Sequence, residues 1–343
     1  MNLNRNIMKF NRTFKRLIIL IFIAGAALLV SCSGERSPVL SNVTGRAGEV
    51  VVVINNPVWE SDGGRALGEV LISEYPALPQ MERMFDVVRI NHNAFSNIFK
   101  THRNIVVVNV SENYQDTRMY VRTNVWSRPQ ILLEINSPST ESLHSFVNSN
   151  RERILGELED AEKNRIKQYN KQYEKHSLRE ELNKSFDLSL TFPPGYVMAV
   201  DTTDFAWVVF NPPTQERIQG VFVYQYDYRD PDTFTPEFLV NKRNQFLRKY
   251  VAGPSQNSYM TTEMELFPLF DEYMQEGQYY ARLRGLWKVQ NDFMGGPFVS
   301  HTTLDEERNR VVTVEGFVFE PNEKKRNLMR QVEAIVSSLE IHE

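Results

Sequence analysis

Cysteine is nearly absent from this sequence, with one residue, Cys32, among 343. A lone cysteine forms no disulfide within the chain, and it leaves the rest of the protein without a thiol nucleophile. The fold must therefore depend on a hydrophobic core, and the chain is long enough to build two domains.

An excess of positive charge is also absent. Lysine and arginine total 39 against 43 acidic residues, which gives a net charge of −4. This balance argues against a nucleic-acid partner and against electrostatic binding to anionic lipid.

Recognisable motifs of catalysis and of metal binding are missing. The sequence has no Gly-x-Ser-x-Gly elbow and no Ser-x-x-Lys pair, and no two of its six histidines are spaced i, i+3 or i+4. Residues 227–232 contain three aspartates but lack the glycine and the distal glutamate of an EF-hand loop. The sequence predicts no catalytic residue, no metal site and no cofactor.

The N-terminal segment is basic at first and then apolar. Its first part carries five basic residues and no acidic one, and residues 17–30 form an uncharged, mostly apolar run of 14 residues. This run is shorter than the roughly 20 residues of a membrane span, but it suits the hydrophobic region of a signal peptide. It ends in Leu29-Val30-Ser31-Cys32, which resembles the lipobox of bacterial lipoproteins.

The lipobox resemblance implies cleavage after residue 31 and a lipid thioether on the sulfur of Cys32. We expect residues 1–31 to be a removed signal peptide, and the lipid on Cys32 to anchor the protein stably if two or more acyl chains are present. Cleavage leaves 34 basic against 43 acidic residues, a net charge of −9.

Residues 32–48 are rich in small and polar side chains and predict a flexible tether. In some bacterial groups an acidic cluster after the lipidated cysteine directs export to the cell surface. Here Glu35 is followed directly by Arg36, so that signal is absent or weak. We therefore predict a lipid-anchored protein of the cell envelope, on the outer membrane and facing the periplasm.

Residues 49–139 predict an N-terminal α/β domain. Two β-branched runs, 49–54 and 104–110, are typical of buried strands, and alternation over 119–125 and 130–135 predicts a hairpin. The remaining elements expected in this domain are a helix at 59–75, a strand at 85–90 and a short helix at 94–100.

Residues 140–184 predict one long charged helix that joins the two domains. The segment has no proline and a thin apolar stripe, and 16 of its 32 residues from 151 to 182 are charged. A straight helix over the 43 residues from 140 to 182 would extend about 64 Å. That is longer than a domain is wide, so the helix is either broken or projecting. A solvated helix with one face on a domain is the favoured interpretation, and a partner-binding helix is the alternative.

Residues 185–343 predict a C-terminal α+β domain, with an antiparallel sheet and helices packed on it. A helix is expected at 236–250, and a closing amphipathic helix at 322–339. Strands are expected at 186–191, 196–201, 206–211, 219–228, 260–266, 278–289, 296–304 and 310–319. The fold class of the whole protein is therefore α+β, with two layers of sheet and helices.

Several segments are shared with a known family. They are the lipobox, Gly45-Arg46-Ala47-Gly48-Glu49, Pro79-Gln80 with Phe85, Arg103-Asn104-Ile105, and the stretch from Phe192 through Trp287 to the final helix. On these residues the mature chain resembles, over nearly its whole length, a family of Bacteroidetes lipoproteins catalogued as domain of unknown function 4837. The resemblance implies kinship and compartment, and it brings no known activity. The second half also resembles the PsbP/Mog1-type α/β/α sandwich.

One candidate ligand cleft follows the first strand. Gly63 and Gly64 lie near a predicted helix start, where free backbone N–H groups can hold an anion, and Trp59 and Arg65 are close by. The pattern matches neither the P-loop nor the dinucleotide fingerprint, so a tight turn at a helix N-terminus is the default alternative.

A candidate aromatic surface comes from Tyr224, Tyr226 and Tyr228. They alternate along one strand with Phe222 and therefore share one face of it. Facing the core they would be packing, which is the favoured interpretation, and facing a groove they would stack on sugar or peptide.

Three functions stay open at this point. The leading hypothesis is a non-catalytic binding or scaffold protein for another envelope component, either protein or glycan. The alternatives are a carboxylate-dependent glycan hydrolase, which needs two carboxylates in one deep cleft, and a carrier of small apolar ligands.

Overall fold

The computed structural model describes residues 40–342, and the chain from Asn42 onward forms one compact unit. The predicted signal peptide, Cys32 and residues 32–39 of the predicted tether lie outside the described residues. Within the described part, no helix is both long and apolar enough to cross a membrane.

The secondary structure confirms the predicted α+β class. The strands are β1 (Ser41–Asn42), β2 (Glu49–Val53), β3 (Asp86–Ile90), β4 (Asn104–Val110), β5 (Arg118–Thr123), β6 (Ser127–Arg128), β7 (Ile131–Ser137), β8 (Leu188–Ser189), β9 (Val197–Asp201), β10 (Phe205–Phe210), β11 (Ile218–Asp227), β12 (Tyr259–Thr262), β13 (Leu269–Gln275), β14 (Gln278–Gln290), β15 (Gly295–Asp305), β16 (Arg310–Phe319) and β17 (Glu340–Ile341). The α-helices are α1 (Asn56–Trp59), α2 (Asp62–Leu71), α3 (Asn97–Lys100), α4 (Thr140–Ser149), α5 (Arg151–Gln172), α6 (His176–Phe186), α7 (Pro236–Tyr250) and α8 (Arg326–Val336), and short 3₁₀ turns occupy His92–Ala94 and Pro231–Phe234.

The first sheet has five strands in the order β3-β2-β4-β7-β5. Strands β3, β2, β4 and β7 are parallel, and β5 returns antiparallel to β7, as the predicted hairpin requires. The interior strand β2 is the β-branched run EVVVV, and its four valines are buried because both faces of the sheet are covered.

The long charged helix predicted over 140–184 takes the broken one of its two predicted forms, as three consecutive helices, α4, α5 and α6. The first break is at Asn150, whose backbone leaves helical geometry at φ −124°, and the second falls between Tyr173 and Lys175. Each break turns the chain, so the apolar side chains of all three helices become buried in cores. Leu143, Ile154 and Leu158 pack on the first sheet, and Leu178 and Leu182 pack on the second.

The second sheet has eight strands and is antiparallel, with the path β12-β14-β15-β16-β11-β10-β9 and with β13 also paired to β14. Strand β16 keeps the range predicted for it, whereas β13 was not predicted. Helix α7 covers one face of this sheet, and helices α6 and α8 cover the other.

Helix α8 joins the two sheets. Leu328, Met329 and Val332 belong to the core of the first sheet, whereas Ile335 and Val336 belong to the core of the second. The two predicted domains therefore share one helix, and the boundary between them stays a prediction.

Candidate functional site

A groove of about 450 Å³ lies where helix α5, helix α8 and the second sheet meet. Its volume is in the range of about 300–1,000 Å³ that is usual for small-ligand sites. Because its charged lining residues are all arginines, we call it the arginine groove; its lining is Arg103, Arg165, Ile166, Tyr169, Asn170, Pro193, Pro194, Tyr196, Phe210, Arg217, Gln219, Gln331 and Ile335.

Several distant elements bring these side chains together. Arg103 directly precedes β4, Arg165 is on α5, and Arg217 directly precedes β11. The turn before β9 closes one wall, and Gly195 in it has a φ of +94°. A Cβ on that glycine would lie 2.8 Å from the ring of Phe210, so the turn needs glycine for both backbone and space.

Arg165 is fixed by hydrogen bonds to the first sheet. Its Nε donates to the carbonyl of Pro129 at 2.8 Å, and its Nη2 donates to the carbonyl of Arg103 at 2.7 Å and to Oδ1 of Asn104 at 2.9 Å. Its Nη1 lies 3.2 Å from Oε1 of Glu162 but makes no hydrogen bond within the described chain. The guanidinium is thus oriented before any ligand binds, with one nitrogen left unsatisfied.

Glu162 is the buried counterion of two groove arginines. Its Oε2 lies 3.2 Å from Nη2 of Arg103, and its Oε1 accepts a hydrogen bond of 2.7 Å from the amide of Asn104. The third arginine, Arg217, donates from Nε to Glu320 at 2.5 Å. Three arginines thus face two carboxylates, which leaves the groove with one positive charge in excess.

Burial weakens the charged form of Arg165. Desolvation is the main cause that lowers the pKa of its guanidinium to about 10; nearby Arg103 lowers it further, and Glu162 acts in the opposite direction. Burial also raises the pKa of the Tyr196 hydroxyl, which therefore stays protonated at neutral pH.

Aromatic and amide side chains complete the lining. The rings of Tyr196 and Phe210 lie 5.6 Å apart, and Nε2 of Gln219 donates to Oε1 of Gln331 at 3.1 Å. Tyr169, at the mouth, is 56% exposed and packs against Tyr173. The groove therefore offers cations, amides and flat apolar faces.

The lining of the arginine groove contains no carboxylate, histidine, serine, threonine or cysteine. A carboxylate-dependent glycan hydrolase would need two carboxylates across its cleft, and the lining of this groove has none. The arrangement suits binding of an anion, and Tyr169 and Tyr196 are the lining side chains of a type that can take part in acid–base or nucleophilic chemistry. None of the three arginines was predicted as a site residue.

The predicted cleft near Gly63 and Gly64 is filled by the protein itself. A Cβ on Gly63 would lie 2.6 Å from the carbonyl of Thr140, and one on Gly64 would lie 2.2 Å from the carbonyl of Val58. The N–H of Gly64 is already bonded to the Ser61 hydroxyl, which caps α2.

The other two residues of that cleft also have partners within the chain. Trp59 packs over Gly68, with Arg89 5.9 Å from its ring centre, while Arg65 pairs with Asp62 at the surface. The glycines thus serve close packing, and a ligand role for this segment stays a prediction.

The candidate aromatic surface at Tyr224, Tyr226 and Tyr228 follows the favoured interpretation of packing, because helix α7 covers that face of β11. Tyr224 is 2% exposed, with its ring centre 4.8 Å from that of Phe246 on α7. Tyr226 lies under Lys242 of the same helix, and Tyr228 packs against Phe234. Tyr224 is therefore core, and the other two are half-buried packing residues.

A second polar cluster is buried between α5, α8 and the second sheet. Glu333 of α8 bonds to Arg284 at 2.6 Å and lies 3.3 Å from Lys163, and these cations hold its pKa well below its usual range. His301 is 2% exposed, and its Nδ1 is 2.9 Å from the Tyr273 hydroxyl. Burial lowers the pKa of His301, so it is neutral. No metal-binding cluster occurs among residues 40–342.

The chain is an α+β protein in which each half matches a family defined only as a domain of unknown function. The family model described as Domain of unknown function (DUF4837) matches residues 175–338, which confirms the predicted resemblance for that segment. A different model, described as Domain of unknown function (DUF8532), matches residues 43–171, where the resemblance to the first family had also been predicted. The Bacteroidetes origin stays a prediction.

The arginine groove takes residues from both matched segments, including Arg165 from the first and Arg217 from the second. No curated protein matches the chain.

Two solved structures show distant similarity. One is LpqN, described as involved in cell envelope biogenesis of Mycobacterium tuberculosis, at 10% identity and a TM-score of 0.29, covering 46% of this chain and 83% of that one. The other is a mutant of the protein Mog1, at 10% identity and a TM-score of 0.29, covering 45% of this chain and 90% of that one. The PsbP/Mog1-type sandwich stays a prediction at these scores.

Proposed function

We propose that this protein is a lipid-anchored, non-catalytic component of the cell envelope that binds another envelope component through the arginine groove. The groove carries the proposal, because it is a concave site with an excess cation, amides and aromatic faces, and its lining has no carboxylate, histidine, serine, threonine or cysteine. The lipobox at Cys32 supports the anchor. The absent or weak acidic signal after it, where Glu35 is followed by Arg36, favours a protein on the outer membrane that faces the periplasm.

The anchor is tested by replacing Cys32 with alanine. Cells grown with an alkyne analogue of palmitate should label the original protein and the Ser33→Ala control, and the Cys32→Ala protein should lose the label and keep its uncleaved leader. Unchanged labelling of Cys32→Ala, or normal removal of its leader, would contradict lipid attachment at Cys32.

The binding function is tested by site-specific photo-crosslinking in intact cells. A photoreactive side chain in place of Tyr169, at the mouth of the groove, should capture an envelope protein or glycan. The same group in place of Met81, which is 82% exposed and does not line the groove, is the control. Equal capture from both positions, or none from Tyr169, would rule out the groove as the binding site.

A further inference from the structure

The groove holds a preorganised cation with an incomplete set of acceptors. Arg165 is 91% buried and held by three hydrogen bonds, yet its Nη1 has none within the described chain. Leaving a buried donor of a charged group unsatisfied costs stability. Because Nη1 is buried and lies 3.2 Å from Glu162, an oxyanion in the groove would complete its hydrogen bonding through a small shift of the guanidinium. The Nε of Arg103 is likewise buried without an acceptor.

The charge balance around the groove favours an anion. Arg103, Arg165 and Arg217 exceed their buried counterions Glu162 and Glu320 by one positive charge. An anion in the groove would also oppose the desolvation that lowers the pKa of Arg165. Arginine donors suit carboxylate and phosphate because their planar fork matches two oxygens.

The rest of the lining favours a ring with hydroxyl groups over a peptide. The amides of Asn170, Gln219 and Gln331 can donate to and accept from hydroxyls, and the rings of Tyr169, Tyr196 and Phe210 offer flat faces.

Extended peptides commonly dock on an open strand edge. The strands at this groove do not offer one, because β10 pairs with β9 and β11, and β11 pairs with β10 and β16.

We infer that the arginine groove binds an acidic saccharide, with a carboxylate or phosphate of the sugar at the three arginines and the sugar ring against the aromatic side chains. This inference rests on the proposed binding function and names its ligand class. The two sources of the oxyanion, a uronic acid or a sugar phosphate, share this chemistry.

The test is a titration of the full-length lipidated protein in nanodiscs, followed by calorimetry. The probes are trigalacturonate, its trimethyl ester and a hexose 6-phosphate. We expect trigalacturonate or the sugar phosphate to bind, with an affinity that falls as salt is added, and the uncharged ester to bind at least about tenfold more weakly. Preference for one of the two acids identifies the source of the oxyanion.

Variants localise the site. Arg217→Gln should weaken binding about tenfold or more, since it removes a charge-assisted hydrogen bond from a partly exposed side chain. Arg165→Lys should weaken it similarly, because lysine keeps the charge but lacks the planar fork. Arg153→Gln, an exposed position on the same helix, is the matched control and should leave the affinity unchanged.

Three results would overturn the inference. They are no binding of either acidic sugar, equal binding of inorganic phosphate alone, and tighter binding of the acidic peptide triaspartate. If one of these is found while crosslinking from Tyr169 still captures a partner, the ligand class is wrong and the proposed binding function stands. If crosslinking fails as well, the proposed function fails with it.

Discussion

Two arginines show how differently the same side chain is used in this protein. Arg243 on α7 is fully buried, and its Nε and Nη2 donate to the two carboxylate oxygens of Glu315 at 2.8 Å. Its Nη1 donates to Thr262 at 2.8 Å, and the guanidinium lies 3.8 Å from the ring centre of Phe298. Arg165 is held mostly by carbonyls, lies beside open space and keeps Nη1 without a hydrogen bond.

The difference separates a structural arginine from a binding arginine. Around Arg243 every nitrogen has an acceptor and the side chain is fully buried, so its pairing contributes to the fold. Around Arg165 the protein fixes the orientation and leaves capacity for another acceptor. Burial alone does not distinguish the two, because both are at least nine-tenths buried; the pattern of satisfied donors does.

The largest expected effect on stability is at the buried ion pair of Arg243 and Glu315. Glu315→Gln should lower the free energy of unfolding by about 3–5 kcal/mol, because it leaves the guanidinium of Arg243 buried without its counterion. Urea unfolding followed by fluorescence measures this, with Glu306→Gln at an exposed position as the control. A loss below about 1 kcal/mol would mean that Arg243 is not the structural arginine of the comparison.

A smaller loss of stability is expected at Arg165 in the arginine groove. Arg165→Met should lower the free energy of unfolding by about 1–3 kcal/mol, since it leaves the carbonyls of Pro129 and Arg103 without this donor. The loss is limited because Glu162 still has Arg103 as a counterion. The same urea titration measures it, against Arg153→Met. A loss equal to that of Glu315→Gln would erase the distinction between the two sites.

His301 extends the comparison of the two buried arginines to a buried side chain that is neutral. Its pKa is below about 6.5 in the folded state and near 6.5 in the unfolded state, so the unfolded chain binds more protons below that pH. This contribution to stability is present above about pH 6.5 and is lost on acidification, by about 1 kcal/mol between pH 7.5 and pH 6. The groups that face it are Tyr273, Glu333, Arg282, Arg284 and Lys163.

The measurement is the slope of unfolding free energy against pH for His301→Gln and for His176→Gln, whose side chain is 76% exposed. Burial raises the pKa of Glu159 and of Glu315. Protonation of these two carboxylates on acidification raises the free energy of unfolding, and it does so equally in both variants. We expect a shallower fall in His301→Gln. Identical slopes would show that His301 takes up a proton in the folded protein.

The smallest effect on stability is expected at the groove mouth. Tyr169→Ala should change the free energy of unfolding by no more than about 0.5 kcal/mol, because the side chain is 56% exposed. Binding of the acidic sugar should nevertheless weaken by a few fold, as calorimetry would show. A large loss of stability together with unchanged binding would reverse the roles assigned to the mouth and to the buried arginines.

Local patterns predicted most of the elements in this protein. The run at β4 and the amphipathic helix α7 have the ranges expected from their side chains, because a β-branched run and a 3.6-residue apolar period each specify one structure. Strand β13 was not predicted, since its sequence LFDEYMQ alternates weakly and the strand pairs on one side only, with β14. The breaks in the segment 140–184 depend on the two cores that it connects.

The arginine groove could not be predicted in the same way. Arg103, Arg165, Arg217 and Gln331 are far apart in the sequence, and no spacing rule relates them; only the folded sheets bring them together. One local signal was present. Arg165 is the sequence neighbour of Ile166, which belongs to the thin apolar stripe of α5, and a cation on the side of a helix that packs against the protein is unusual. Gly63 and Gly64 gave a stronger sequence pattern than Arg165, but these glycines allow neighbouring backbone to pack closely.

Glu82 has a consequence for how the chain acquires its structure. Its carboxylate accepts the backbone N–H groups of Lys325 at 2.6 Å and of Arg326 at 3.2 Å, and so caps helix α8 from more than 240 residues earlier. Synthesis proceeds from the N-terminal end. The first sheet is therefore made before α8, and the part of its core that packs on Leu328, Met329 and Val332 stays uncovered until that helix is made.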